Sequence, residues 1–158
     1  MFSTLFDHMR WADARAQDEV GALGRGTAER NRAEAIYAHV AAVEHNWLGR
    51  LQGWAPRVPL WPALSLADAG ALAADTGAAY RTYVGALTAD DLAQEVSYHN
   101  TAGQAFRNRR QDILLHVALH GSYHRGQLAL LARRGGAELA ITEYIAFLRV
   151  APEHPAAV

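Results

Sequence analysis

The 158-residue chain contains no cysteine. That excludes a disulfide scaffold, a thiolate zinc site and a cysteine nucleophile together. Lysine is also missing, because all 15 basic residues are arginine, so no Schiff-base or general-base lysine is available. No apolar run approaches the ~20 residues of a membrane span. The first turns carry Asp7, His8 and Arg10, which interrupts any signal-peptide core. These absences lead to the expectation of a cytoplasmic protein. Charge of one sign is lacking as well: 16 acidic residues leave a net charge of −1, so the overall field attracts neither nucleic acid nor an anionic membrane. Only five prolines occur, three of them at 56, 59 and 62.

What is abundant is alanine, 33 residues of it, the strongest helix former. Leu5, Met9, Ala12, Ala16, Val20 and Leu23 recur at helical spacing and predict a first helix ending near Gly24 and Gly26. Thr27 is placed to cap a second helix, whose stripe runs Ile36, Val40, Val43, Trp47, Leu51 and stops at Gly53. The proline-containing stretch from Gly53 to Leu64 reads as a linker. Ser65 with Asp68 opens a third helix to about Leu87. Glu95–His99 is β-prone and Asn100–Gly103 supplies turn chemistry, so a short hairpin is expected there. Asn108 with Gln111 reads as the cap of a fourth long helix ending at Gly135–Gly136, and Thr142 as the cap of a short last helix to about Val150. The expected fold is all-α: a four-helix bundle with a short C-terminal helix and a small hairpin before the fourth long helix. One domain is expected over 1–150, with a frayed tail over 151–158.

Eight histidines are present, and placement matters more than number. In "DILLHVALHGSYHRGQLALLARR" the apolar stripe Ile113, Val117, Leu128, Leu131 passes through His120 and His124. Two imidazoles four residues apart lie roughly 40° apart around a helix, near enough to share an ion. His116 faces almost the same way, and spacing alone does not choose between the pairs 116/120 and 120/124. A third ligand must come from another helix. In "IYAHVAAVEHNWLGRL", His39 borders the apolar stripe, while His45, roughly 120° away, is expected to be solvated beside Glu44. His8 is expected to be partly exposed; His99 and His154 carry no suggestive spacing.

The string "LLHVALHGSYHRGQLALLARRGG", preceded by "LFDHMRWADAR" and "AHVAAVEHNWLGRLQG" and followed by "ITEYIAFLR", resembles the DinB family, the damage-inducible helical-bundle family of DinB/YfiT-like metalloenzymes rather than the polymerase of the same name. The resemblance implies a bundle that often dimerises and a three-histidine site for one divalent ion; imidazole suits zinc and nickel, the expected occupants. Its ligands fall on His39, His120 and His124, with His116 and His45 outside the motif. It also implies a metal-dependent transferase using a low-molecular-weight thiol such as bacillithiol or mycothiol on an unknown small-molecule substrate. A three-imidazole site that lowers the pKa of bound water, in a chain without cysteine, fits a hydrolase equally well. The chain departs from the family pattern at Asp13, where asparagine is common, and at His8, where an aromatic residue is common.

A second function class is a non-catalytic metal-binding or stress-response bundle, since no carboxylate falls inside the histidine motif and Glu44 points roughly 140° from His39. Arg107, Arg109 and Arg110, with Arg125 further along, read either as an anion clamp or, preferably, as a solvated charged turn. Trp47, Trp54 and Trp61 are candidate pocket or dimer anchors. Tyr123 is read as packing, and Ser122 lacks the partners of a nucleophile.

Overall fold

The computed structural model describes residues 1–150; the expected tail, with His154, lies outside the described residues. Six helices and one hairpin follow in the order α1 (Phe2–Ala22), α2 (Ala28–Gln52), α3 (Leu66–Gly85), α4 (Ala89–Ala93), β1 (Glu95–His99), β2 (Ala105–Arg109), α5 (Arg110–Arg134) and α6 (Tyr144–Val150). The fold is mainly helical. Of the four long helices, α1 and α2 each pack against both α3 and α5. Phe6 and Met9 of α1, Leu48 and Leu51 of α2, Tyr80 of α3 and Leu114 and Val117 of α5 meet in one apolar cluster. Phe6 stacks on Tyr80 at 4.5 Å. A second cluster at the other end joins Val20, Ile36, Tyr37, Ala69 and Leu128.

The caps explain the helix starts. The Thr27 side chain accepts from Arg30 N–H, and Ser65 from Asp68 N–H, satisfying backbone donors that a helix leaves orphaned. Gly53 ends α2 at φ 78°, a left-handed position that suits glycine. Gly49 lets the linker turn back sharply, since a Cβ there would stand 2.8 Å from the Trp54 carbonyl oxygen.

Three boundaries differ from the sequence expectation. Thr88 and Asp91 form a capping box over the single turn of α4, an element too short to show periodicity. Asn108 does not cap α5: it lies in β2, where its side chain accepts from the Tyr98 hydroxyl at 2.8 Å. The helix begins directly from the strand, with Arg109 at the cap position and no side-chain cap bond. Thr142 likewise caps nothing; α6 starts at Tyr144, and the carbonyl of Glu143 accepts its first bonds. The hairpin stands where expected, with Glu95 opposite Arg109 and His99 opposite Ala105. Among the described residues no helix is long and apolar enough to cross a membrane.

Candidate metal centre

His39 on α2 and His120 and His124 on α5 converge. One nitrogen from each ring lies within 4.8 Å of the others. The ring centroids are 4.5 Å apart for His120–His124, 4.9 Å for His39–His124 and 5.2 Å for His39–His120. Histidine nitrogens at ~2.0–2.1 Å from a zinc ion stand ~3.3 Å apart in a tetrahedral shell, so modest side-chain adjustment closes this cluster on a cation.

Two rings are already oriented. His39 Nδ1 lies 2.7 Å from the Leu60 carbonyl oxygen, and His124 Nδ1 lies 3.1 Å from Gln127 Oε1. Donation from Nδ1 to such an acceptor leaves Nε2 as the coordinating nitrogen. His120 has no such anchor: its Nδ1 is buried without a hydrogen-bond partner, a state that coordination of a cation by Nδ1 itself would relieve. Burial pushes the His39 and His120 pKa values down. His120 falls to about 3, with the charges of His124 and His39 adding to the desolvation. Both rings are therefore neutral at physiological pH, the form that coordinates. Trp61 of the linker lies flat on His39, 3.8 Å between centroids and 9° between planes.

His116 is exposed, 6.0 Å from His120, and packs edge-on against Trp47. It is outside the three-residue cluster. His45 is not solvated as expected: it is 3% exposed, its Nε2 accepting from Arg57 N–H at 3.3 Å. The linker explains this. From Trp54 to Trp61 it returns along α2, where Asn46 Nδ2 donates to the Val58 carbonyl and His39 meets Leu60, so α2 is covered on a second flank and residues 36–46 are all buried. His8 is also buried, because α6 closes over it, with Thr142 O at 2.8 Å from Nε2 and Tyr144 and Phe147 against the ring.

The arginines at the start of α5 belong to the charged turn. Arg107 pairs with Glu95, Arg109 with Asp112, and Arg110 donates to the Asp91 carbonyl. Tyr123 is exposed and lies edge-on to His124. Trp47 and Trp54 pack against the core of their own chain, whereas Trp61 is 54% exposed.

Sequence reasoning missed a buried charge cluster beside the centre. Arg125, next to His124, is bonded to Asp13 at 2.7 Å with both side chains nearly inaccessible. Glu44 is fully buried, and neither of its oxygens finds a donor. Burial and the Asp13 charge hold its carboxyl well above the usual carboxylate range. The neutral acid, which can itself donate toward Asp13, is the form that suits the position. The signal was legible in principle: Glu44 sits four residues from both Val40 and Leu48, at a core position of α2.

Comparison with curated proteins returned no match, and neither did comparison with solved structures. The sequence model of the DinB family, by contrast, matches residues 1–155. Both histidine-bearing helices and the linker that orients His39 lie inside that span, and the chain belongs to the DinB family.

Proposed function

We propose that His39, His120 and His124 hold one divalent metal ion, zinc or nickel, within a single four-helix-bundle domain over 1–150. The observation that carries this reading is the convergence of three imidazoles from two helices within 4.8 Å, two of them with the opposite nitrogen already engaged. Bound there, the ion would supply Lewis acidity and a coordination position not filled by this histidine set. The protein's part is orientation: Leu60 O and Gln127 fix two rings, and Trp61 covers one face of His39. We take the activity to be that of a metal-dependent transferase, with a low-molecular-weight thiol as cosubstrate, or of a hydrolase. One observation favours a non-catalytic binding bundle instead. Glu44, a carboxylate on the same helix as His39, is sealed against Asp13 and Arg125, so it is not presented as a general base.

Metal stoichiometry of alanine variants tests the ligand set. His39→Ala, His120→Ala and His124→Ala should each empty the site, while His116→Ala and His99→Ala should retain one ion. His45 is unsuitable as a control because it holds the linker. Loss of metal from His116→Ala with retention in His124→Ala rejects the assignment. X-ray absorption on the loaded protein then separates the classes: three histidines plus a light exchangeable ligand supports catalysis, and a fourth protein ligand supports a structural ion. A screen of thiol cosubstrates follows only in the first case.

We further propose a homodimer. Leu115, Leu119, Tyr123 and Leu130 on the outer face of α5 are each about half exposed or more, more apolar surface than a helix facing water needs. Sedimentation at micromolar protein should show a dimer, and Leu119→Glu should give a folded monomer; a wild-type monomer rejects the proposal.

A further inference from the structure

A cavity of about 540 Å³ opens between α1 and α3 beneath α6, within the ~300–1,000 Å³ typical of small-molecule sites. It shares no lining residue with the histidine cluster. Its polar groups sit at two levels. At the inner end are Asp13 and Tyr37. The hydroxyls of Tyr80, Tyr83 and Tyr98 donate to Glu44 O, Leu51 O and Asn108 Oδ1, but Tyr37, only 2% exposed, has no hydrogen bond to a protein group among the described residues. Tyr37 lines the cavity, and a group bound there is where its hydroxyl finds a partner. Asp13 Oδ1 accepts from Arg125, which offsets its charge, and the carboxylate keeps acceptor capacity, at Oδ2 above all, beyond that bond and one from the Glu44 acid.

At the outer end, Arg10 and Arg81 flank Asp7. The contacts are 3.9 Å and 3.7 Å, too long for hydrogen bonds. Two guanidinium groups thus share one carboxylate, leaving a formal charge of +1 and unengaged donors. Between the two levels the wall is apolar, including Trp11 and Phe147, whose rings touch at 5.7 Å.

We propose that this cavity binds a small organic carboxylate that carries a hydroxyl at its far end. The carboxylate lies between Arg10 and Arg81, whose planar forks match it. The apolar body runs along Trp11 and Phe147, and the hydroxyl exchanges hydrogen bonds with Tyr37 and Asp13 Oδ2. A cation is disfavoured, because the inner carboxylate is already paired and the outer group is net positive. A purely apolar occupant would strand Tyr37. The site is independent of the metal reading.

The experiment is a titration of the full chain with para-hydroxybenzoate, benzoate and para-hydroxybenzyl alcohol, followed by amide chemical shifts and calorimetry. Para-hydroxybenzoate should bind most tightly and move amides of α1, α3 and α6. Tyr37→Phe should weaken it about fivefold to tenfold, the worth of one hydrogen bond, and leave benzoate unchanged. Arg10→Gln and Arg81→Gln should weaken both acids and spare the alcohol. His120→Ala should change nothing. No binding at millimolar concentration, shifts confined to the histidine cluster, or affinity indifferent to both Tyr37→Phe and Arg81→Gln would each overturn the proposal.

Discussion

At the scale of the residue, the most consequential side chains are the three buried ionisable groups Glu44, Asp13 and Arg125. Glu44 is held neutral by burial and by Asp13, whereas in the unfolded chain a glutamate ionises near pH 4.3. Its folded pKa is raised, so its contribution is complete below the unfolded pKa and is lost as pH climbs toward the folded one. Glu44→Gln keeps the shape and removes the ionisation. The wild type should therefore lose melting temperature relative to this variant as pH rises from 5 to 8, by a few degrees if the difference is on the order of 1 kcal/mol. Parallel melting curves across that range would reject the assignment. Arg125→Met is the opposite case: it strands Asp13 in the core, and removal of one partner of a buried pair costs ~3–5 kcal/mol; equilibrium denaturation measures it. The pairing of Asp13, Glu44 and Arg125 is not legible in the sequence, although Glu44 lies on the buried stripe. A charge at a core position reveals its role only once its partners are known, and Asp13 and Arg125 are 112 residues apart. His120 and His124 were legible because both interrupt one stripe on one helix.

At the scale of the element, the caps Thr27 and Ser65, the glycine stops and the hairpin were legible because each is local chemistry within four or five residues. The burial of His8 and His45 was not. Each is covered by a segment that returns from elsewhere, α6 over His8 and the linker over His45, and helix periodicity assigns only one buried face. The same returning linker brings Leu60 O to His39, so α2 and the linker act together on the candidate centre. On α5 the corresponding device is internal: Gln127, three residues beyond His124, accepts from its ring. Replacement of such an acceptor lowers metal affinity ~10–100-fold in other sites. Gln127→Leu should weaken zinc binding by about tenfold or more, read by competition with a chromophoric chelator, with the helical circular dichroism unchanged. Unaltered affinity would show that the Gln127 contact does not orient the ligand.

At the scale of the whole molecule, an ion at the cluster would tie α2 to α5 and, through His39, to the linker. α1 contributes no ligand, yet it packs on α5 and reaches the ligand helix through Asp13 and Arg125. Anything that binds only the folded chain stabilises it by mass action, ~2.7 kcal/mol when free ligand is 100-fold above Kd. For a chain of this size each kcal/mol moves the melting temperature by ~2–4 °C, so saturating zinc should raise it by ~5–10 °C over the chelator-treated protein. Zinc bound by histidines of the unfolded chain opposes this, so the lower end is the expected one. His116→Ala should keep the shift, because that ring faces Trp47 outside the cluster, whereas His120→Ala should abolish it. A zinc shift of equal size in wild type and His120→Ala would place the stabilising ion elsewhere and remove the three histidines from the account of stability.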